Sequence, residues 1–191
     1  MSETNQTQVR LSEAKKYIKH ASIKRKRPVF VWGPPGVGKS DVVESIVSDE
    51  IANGKKAKLY DLRLSMCEPT DIMGIPYFDS NTGSMKWAPP ALLPKMTDAD
   101  DYDLVVLFLD EMNGAAPAVQ AAAYQLILNR RVGEYVLPDN VAVVAAGNRD
   151  QDKGVTFKMP KPLSNRFIHF EVKVHFDDWA EWAIEHGVNA D

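Results

Sequence analysis

Apolar positions along this chain switch several times between helical spacing and short continuous runs, and the switching predicts the fold. Leu11, Ala14, Ile18 and Ala21 recur at helical spacing, which predicts a helix from about Leu11 to Ser22. Pro28 to Trp32 is then a compact apolar run closed by Gly33-Pro34-Pro35-Gly36, the pattern of a buried strand entering a turn. A second helix is expected from Lys39 to about Ala52, with Val42, Val43, Ile46 and Val47 inward and Asn53-Gly54 as its stop. Further strands are predicted at Ala57–Leu62, Leu104–Leu109, Val141–Ala146 and Phe167–Val172, with an Ala-rich helix at Pro117–Asn129 and a helical turn at Pro160–Asn165. Each crossover is long enough for parallel pairing, so the expected class is α/β, with helices on both faces of a five-stranded parallel sheet.

Between Arg63 and Lys95 the pattern breaks. Pro69, Pro76, Pro89, Pro90 and Pro94 forbid long regular elements, and a segment this long points to function. Within it, Tyr77-Phe78 and Met85-Lys86-Trp87 flank a polar turn and predict a β-hairpin. A second hairpin is expected over Arg131–Pro138, turning at Gly133.

Composition narrows the class. The chain has 191 residues, 45% hydrophobic and 26% charged, which suits one folded domain and excludes disordered, collagen-like and coiled-coil readings. Its wholly apolar stretches are about six residues, against the ~20 needed to span a bilayer. The polar Met1–Gln8 start and the single Cys67 predict a cytoplasmic protein without an internal disulfide. Charge is uneven: residues 1–27 hold eight Lys and Arg against two acids. That arm ends in Lys24-Arg25-Lys26-Arg27, read as a solvated basic helix end that is also able to meet nucleic-acid phosphates. The acidic run Asp98 to Asp103 is expected to be a surface loop.

The strongest chemical signal is Gly33-Pro34-Pro35-Gly36-Val37-Gly38-Lys39-Ser40, followed by Asp41, which satisfies G-x-x-x-x-G-K-[ST] between a buried strand and a helix. Glycines allow backbone N–H groups to converge on phosphate oxygens, and the helix N-terminus adds partial positive charge. Lys39 is expected on the β- and γ-phosphates and Ser40 on Mg²⁺. The strand Leu104–Leu109 delivers Asp110 and Glu111 to the sheet edge where α/β folds bind ligands, with Asp110 expected in the Mg²⁺ shell and Glu111 on the attacking water. Alternation along the strand is expected to separate their tasks. The run Val141–Gly147 brings Asn148 to the same edge, as a water-positioning group or a turn former.

With these motifs in order, the chain resembles the AAA+ ATPase core of the MoxR family from about Leu11 to Gly187. Asp61-Leu62-Arg63-Leu64-Ser65, Pro69 to Pro76 and Trp87 to Pro94 are similar to the family's segment around an inserted hairpin, and Gln125 to Tyr135 to its second hairpin. The resemblance implies a P-loop NTPase sandwich with two inserted hairpins, ATP and Mg²⁺ as ligands, and a ring oligomer, a hexamer, that hydrolyses ATP to remodel or assemble a protein partner. A protein carrying a von Willebrand A domain is the kind of partner implied. Leu163-Ser164-Asn165-Arg166-Phe167 is similar to the motif that supplies an arginine finger across a subunit boundary, which points to Arg166, with Arg130 and Arg149 as competitors. The expected layout is a basic arm and helix at 1–27, the nucleotide-binding core at 28–174, and at 175–191 the first helix of a lid. There the sequence is expected to depart from the family, since residues 175–191 resemble only the lid's first helix and no residue among them is assigned to the lid arginine. Trp179, Trp182 and Ala183 are the apolar face of that helix. A nucleic-acid-handling motor or loader using Lys24 to Arg27 and the hairpins is the alternative, and a small-molecule kinase is less favoured. His20, His169, His175 and His186 have no metal-ligand spacing with Cys67.

Overall fold

A computed structural model describes residues 7–149, 157 and 161–185. The chain runs β1 (Thr7–Val9), α1 (Leu11–Ile18), β2 (Val29–Trp32), α2 (Lys39–Ala52), β3 (Ala57–Arg63), α3 (Pro69–Met73), β4 (Ile75–Asp79), β5 (Ser84–Ala88), α4 (Asp98–Asp101), β6 (Leu104–Asp110), α5 (Pro117–Asn129), β7 (Arg131–Val132), β8 (Tyr135–Val136), β9 (Val141–Gly147), α6 (Lys161–Ser164), β10 (Ile168–Val172) and α7 (Phe176–Glu185).

The main sheet is parallel, in the order β1-β10-β2-β9-β6-β3. It has six strands where five were expected. The addition is Thr7–Val9, which pairs with Phe170–Val172; three residues are too few for a period to show. The first helix is also shorter than expected, because after Ile18 it widens into a π-type turn over Lys19–Lys24. Both predicted hairpins form, as β4–β5 and β7–β8.

Strand alternation builds the core on both faces. Phe30, Val105, Leu107, Leu109, Val141, Val143 and Ala145 face one layer, where Val119, Ala123 and Leu126 of α5 meet them. Val29, Val31, Val106, Phe108, Ala142 and Val144 face the other, against Ala14 and Ile18 of α1 and Val43 and Ile46 of α2. Each such large side chain contributes roughly 1.5–3 kcal/mol on burial. Burial on both faces explains why these strands read as continuous apolar runs.

The acidic run is not a plain loop. It opens with a short helix whose Asp98 is only 3% exposed. Its carboxylate accepts Tyr60 Oη at 2.7 Å, Lys95 N–H at 2.7 Å and Lys58 Nζ at 3.1 Å, which fixes the segment against β3. Burial pushes the Asp98 pKa up, and these donors outweigh it, holding the group below its ordinary value. A depressed carboxyl pKa adds stability above the unfolded-state value and loses it as pH falls through the folded one. Asp98→Ala should therefore cost about 2–4 kcal/mol in denaturant titration at neutral pH. Below pH ~4 the difference from wild type should narrow; a gap that is unchanged there would refute this role.

Candidate functional site

The strand order reverses around β2, whose neighbours β9 and β10 come late in the chain, and such switch points leave a crevice at the C-terminal strand ends. Registers of Trp32 with Gly147 and Leu109 with Ala145 bring the ends of β2, β9 and β6 level. Gly33 to Ser40 emerges there and runs into α2. Gly36 and Gly38 hold φ of 76° and 86°, left-handed values that side chains resist, and Gly38 is the residue capping α2.

The Lys39 ammonium gathers the loop. It donates to the carbonyls of Gly33 and Pro34, each at 2.9 Å, and to Asn148 Oδ1 at 3.1 Å. Ser40 Oγ donates to Asp110 Oδ2 at 3.2 Å. Asp110 closes β6, and Glu111 follows in a left-handed turn with φ 52°. That turn, more than strand alternation, parts the two carboxylates. The Glu111 N–H donates to Asp110 Oδ1 at 2.7 Å, and Ser65 Oγ donates to Glu111 Oε2.

Asn148 is fixed from behind by Asn113, which accepts its N–H at 3.1 Å and donates to its carbonyl at 2.7 Å. A side chain at Gly147 would run into Asn113 Oδ1 and lie 2.9 Å from Phe30 Cζ. Sequence reasoning missed Asn113, Ser65 and Arg63, the last of which shares the cleft of about 280 Å³ with Lys39, Ser40, Asp110, Glu111 and Asn148. A neighbouring cleft of about 230 Å³ lies across the same glycine loop, bounded by Leu11, Val37, Val174, His175 and Asp178. Asp41 borders both clefts. Asp178 Oδ2 accepts the Leu11 N–H at 3.1 Å, joining α7 to the start of α1.

Of the expected residues, only Arg166 stands apart. It precedes β10, whose Ile168 is level with Val29 at the start of β2. About 16 Å of strand, at ~3.3 Å per residue, separates it from the end carrying the phosphate loop. Of its competitors, Arg149 pairs with Glu171, level with Trp32 at the loop end of the sheet, at 3.0 Å, while Arg130 donates to the carbonyls of Pro138 and Val141, at the start of β9, at 2.6 and 3.1 Å. Arg166 is exposed. The side chains of Trp179 and Trp182 lie outside the described residues, as does His186; Ala183 is buried.

Fold and loop together define a P-loop nucleotide-binding protein. Residues 28–167 match the AAA domain (dynein-related subfamily), and the chain belongs to that family of AAA+ ATPase domains. Among solved structures, a Cytophaga hutchinsonii protein assigned as an ATPase superposes with a TM-score of 0.59 at 15% identity, over 94% of this chain and 51% of its own. NtrX from Brucella abortus gives a TM-score of 0.53 at 15% identity, over 96% of this chain and 44% of its own. The chain thus spans about half the length of each, and identity this low shows the shared fold alone. No curated protein matches the chain in sequence.

The pinned geometry at the β9 end carries its own test. Gly147→Ala should destabilise the protein by about 1–3 kcal/mol through the Asn113 and Phe30 collisions. An unchanged melting temperature would show that the close approach is absent.

Proposed function

We propose that this chain binds ATP with Mg²⁺ in the paired clefts and hydrolyses it as a MoxR-like AAA+ ATPase. The observation that supports this most is the gathering of Lys39, the Ser40–Asp110 pair, Glu111 and Asn148 around one cleft at three level strand ends. The donor set suits the ligands. A hydroxyl and a carboxylate 3.2 Å apart are hard oxygen donors of the kind Mg²⁺ takes. The glycine loop opens N–H groups to phosphate at the positive end of α2. The more apolar neighbouring cleft, walled by Leu11, Val37 and Val174, suits the base.

In this reading the Lys39 ammonium leaves the Gly33 and Pro34 carbonyls for phosphate oxygens, exchanging neutral acceptors for charged ones. Ser40 and Asp110 hold the metal, which when bound neutralises charge building on the phosphoryl oxygens. Glu111 orients and polarises the attacking water, and Asn148, braced by Asn113, holds that water's other side. Arg166 acts on the nucleotide of a neighbouring subunit, since the length of the sheet lies between it and its own loop. A ring, hexameric by kinship, satisfies that requirement. Its work is the remodelling or assembly of a protein partner in the cytoplasm, with a von Willebrand A domain protein as the kind of partner implied.

Lys24 to Arg27 are all exposed, which supports a nucleic-acid-handling motor as the second reading; salt-dependent binding of a DNA or RNA oligonucleotide, lost when the four become Ala, would favour it. The hydrolytic reading is tested by three substitutions. Lys39→Ala should weaken ATP binding by about 100-fold or more in calorimetry. Glu111→Gln should bind ATP normally and turn over about 100-fold more slowly or worse. Arg166→Ala should keep affinity and lose about 1,000-fold in kcat. Unchanged ATP affinity in Lys39→Ala would remove the phosphate assignment, and a full hydrolysis rate in Glu111→Gln would hand the water to another residue.

A further inference from the structure

His169 stands in the middle of a hydrogen-bond chain between the strand that ends at the phosphate loop and the turn that carries Arg166. Trp32, the residue before Gly33, donates its indole N–H to His169 Nδ1 at 2.9 Å. The other ring nitrogen, Nε2, lies 2.6 Å from the Ser164 carbonyl oxygen and 3.2 Å from Ser164 Oγ. An indole N–H only donates and a carbonyl only accepts, so these partners fix a neutral imidazole with its proton on Nε2. Burial holds the group in that state by lowering its pKa against the pull of the Ser164 carbonyl.

The Ser164 carbonyl also accepts the Phe167 N–H at 3.3 Å, closing a four-residue turn in which Arg166 is the third residue. Phe167 is buried and packs edge-on against Phe30 with centroids 5.3 Å apart, while Phe30 meets Trp32 at 4.3 Å. The entry of the turn is thus held by His169 and its exit by Phe167. The Arg166 side chain between them is exposed.

We propose that His169 is a positioning residue for Arg166: the Trp32–His169–Ser164 chain sets the pose in which the guanidinium meets a neighbouring subunit's nucleotide and ties that pose to the strand bearing this subunit's own phosphate loop. The proposal rests on the reading of Arg166 as a group acting in trans. A guanidinium displaced by about an ångström from developing charge forfeits up to ~100-fold in rate, so a turn held from both sides has a catalytic use.

The test measures turnover, and separately the affinity for a fluorescent ATP analogue, in the full chain and in co-expressed mixtures. His169→Ala should lower kcat by about 10- to 100-fold while affinity stays within about twofold. Mixing it with Glu111→Gln should raise turnover above either parent, because the Glu111→Gln subunits present a correctly held Arg166 to intact sites. Mixing it with Arg166→Ala should rescue nothing, since neither partner supplies a working guanidinium. Trp32→Phe keeps an aromatic ring against Phe30 and removes the N–H that His169 accepts. It should show a smaller loss with the same rescue, and it decides the matter if His169→Ala no longer binds nucleotide. Wild-type kcat in both variants, or joint loss of kcat and affinity without rescue, would overturn the positioning role while Arg166→Ala is still rescued by Glu111→Gln. Failure of that last pair to complement would overturn the trans reading and the positioning role with it.

Discussion

Hydrogen bonds from one ammonium to acceptors on three described residues organise the loop end of the sheet. Lys39 reaches back to the carbonyls that open its own loop and across to Asn148 on β9, so the first turn of α2, the end of β2 and the end of β9 are held by a single charge. The arrangement is possible only because the parallel register sets Trp32 beside Gly147. A slip of one residue would turn Phe30 and Trp32 to the other face and carry the loop away from Asn148. The two hydrophobic layers that fix the register therefore also fix the chemistry.

The site and the surface bearing Arg166 lie at opposite ends of the same strands. In the proposed reading that separation calls for a second subunit in hydrolysis, and the aromatic cluster of Phe30, Trp32, Phe167 and His169 then positions Arg166 as well as filling space. Packed rings and a neutral imidazole transmit position well, because a close-packed cluster has few alternative arrangements.

Much of this was legible in the residues. Val29–Trp32, Leu104–Asp110 and Val141–Gly147 read as strands because both faces are buried and no polar position interrupts them. The glycine loop with Lys39 and Ser40 is a local motif, so its place in the fold followed from its flanks. What stayed hidden is non-local. Ser65 with Glu111 and Asn113 with Asn148 are contacts across 46 and 35 residues that no spacing announces. Asp98 looks like its acidic neighbours until Tyr60 and Lys58 close over it. The edge strand Thr7–Val9 owes its form to pairing with β10, and the cleft at Leu11 and Val174 joins segments from the two ends of the chain.

The central claim is that a nucleoside triphosphate is received where the β2, β6 and β9 ends meet. Its most direct test is a crystal structure with Mg²⁺ and a non-hydrolysable ATP analogue. The account predicts the terminal phosphates on the Lys39 ammonium, the metal on Ser40 with Asp110 behind it, and the base beside Leu11 and Val174. A nucleotide bound elsewhere, with Lys39 still on the Gly33 and Pro34 carbonyls, would contradict it.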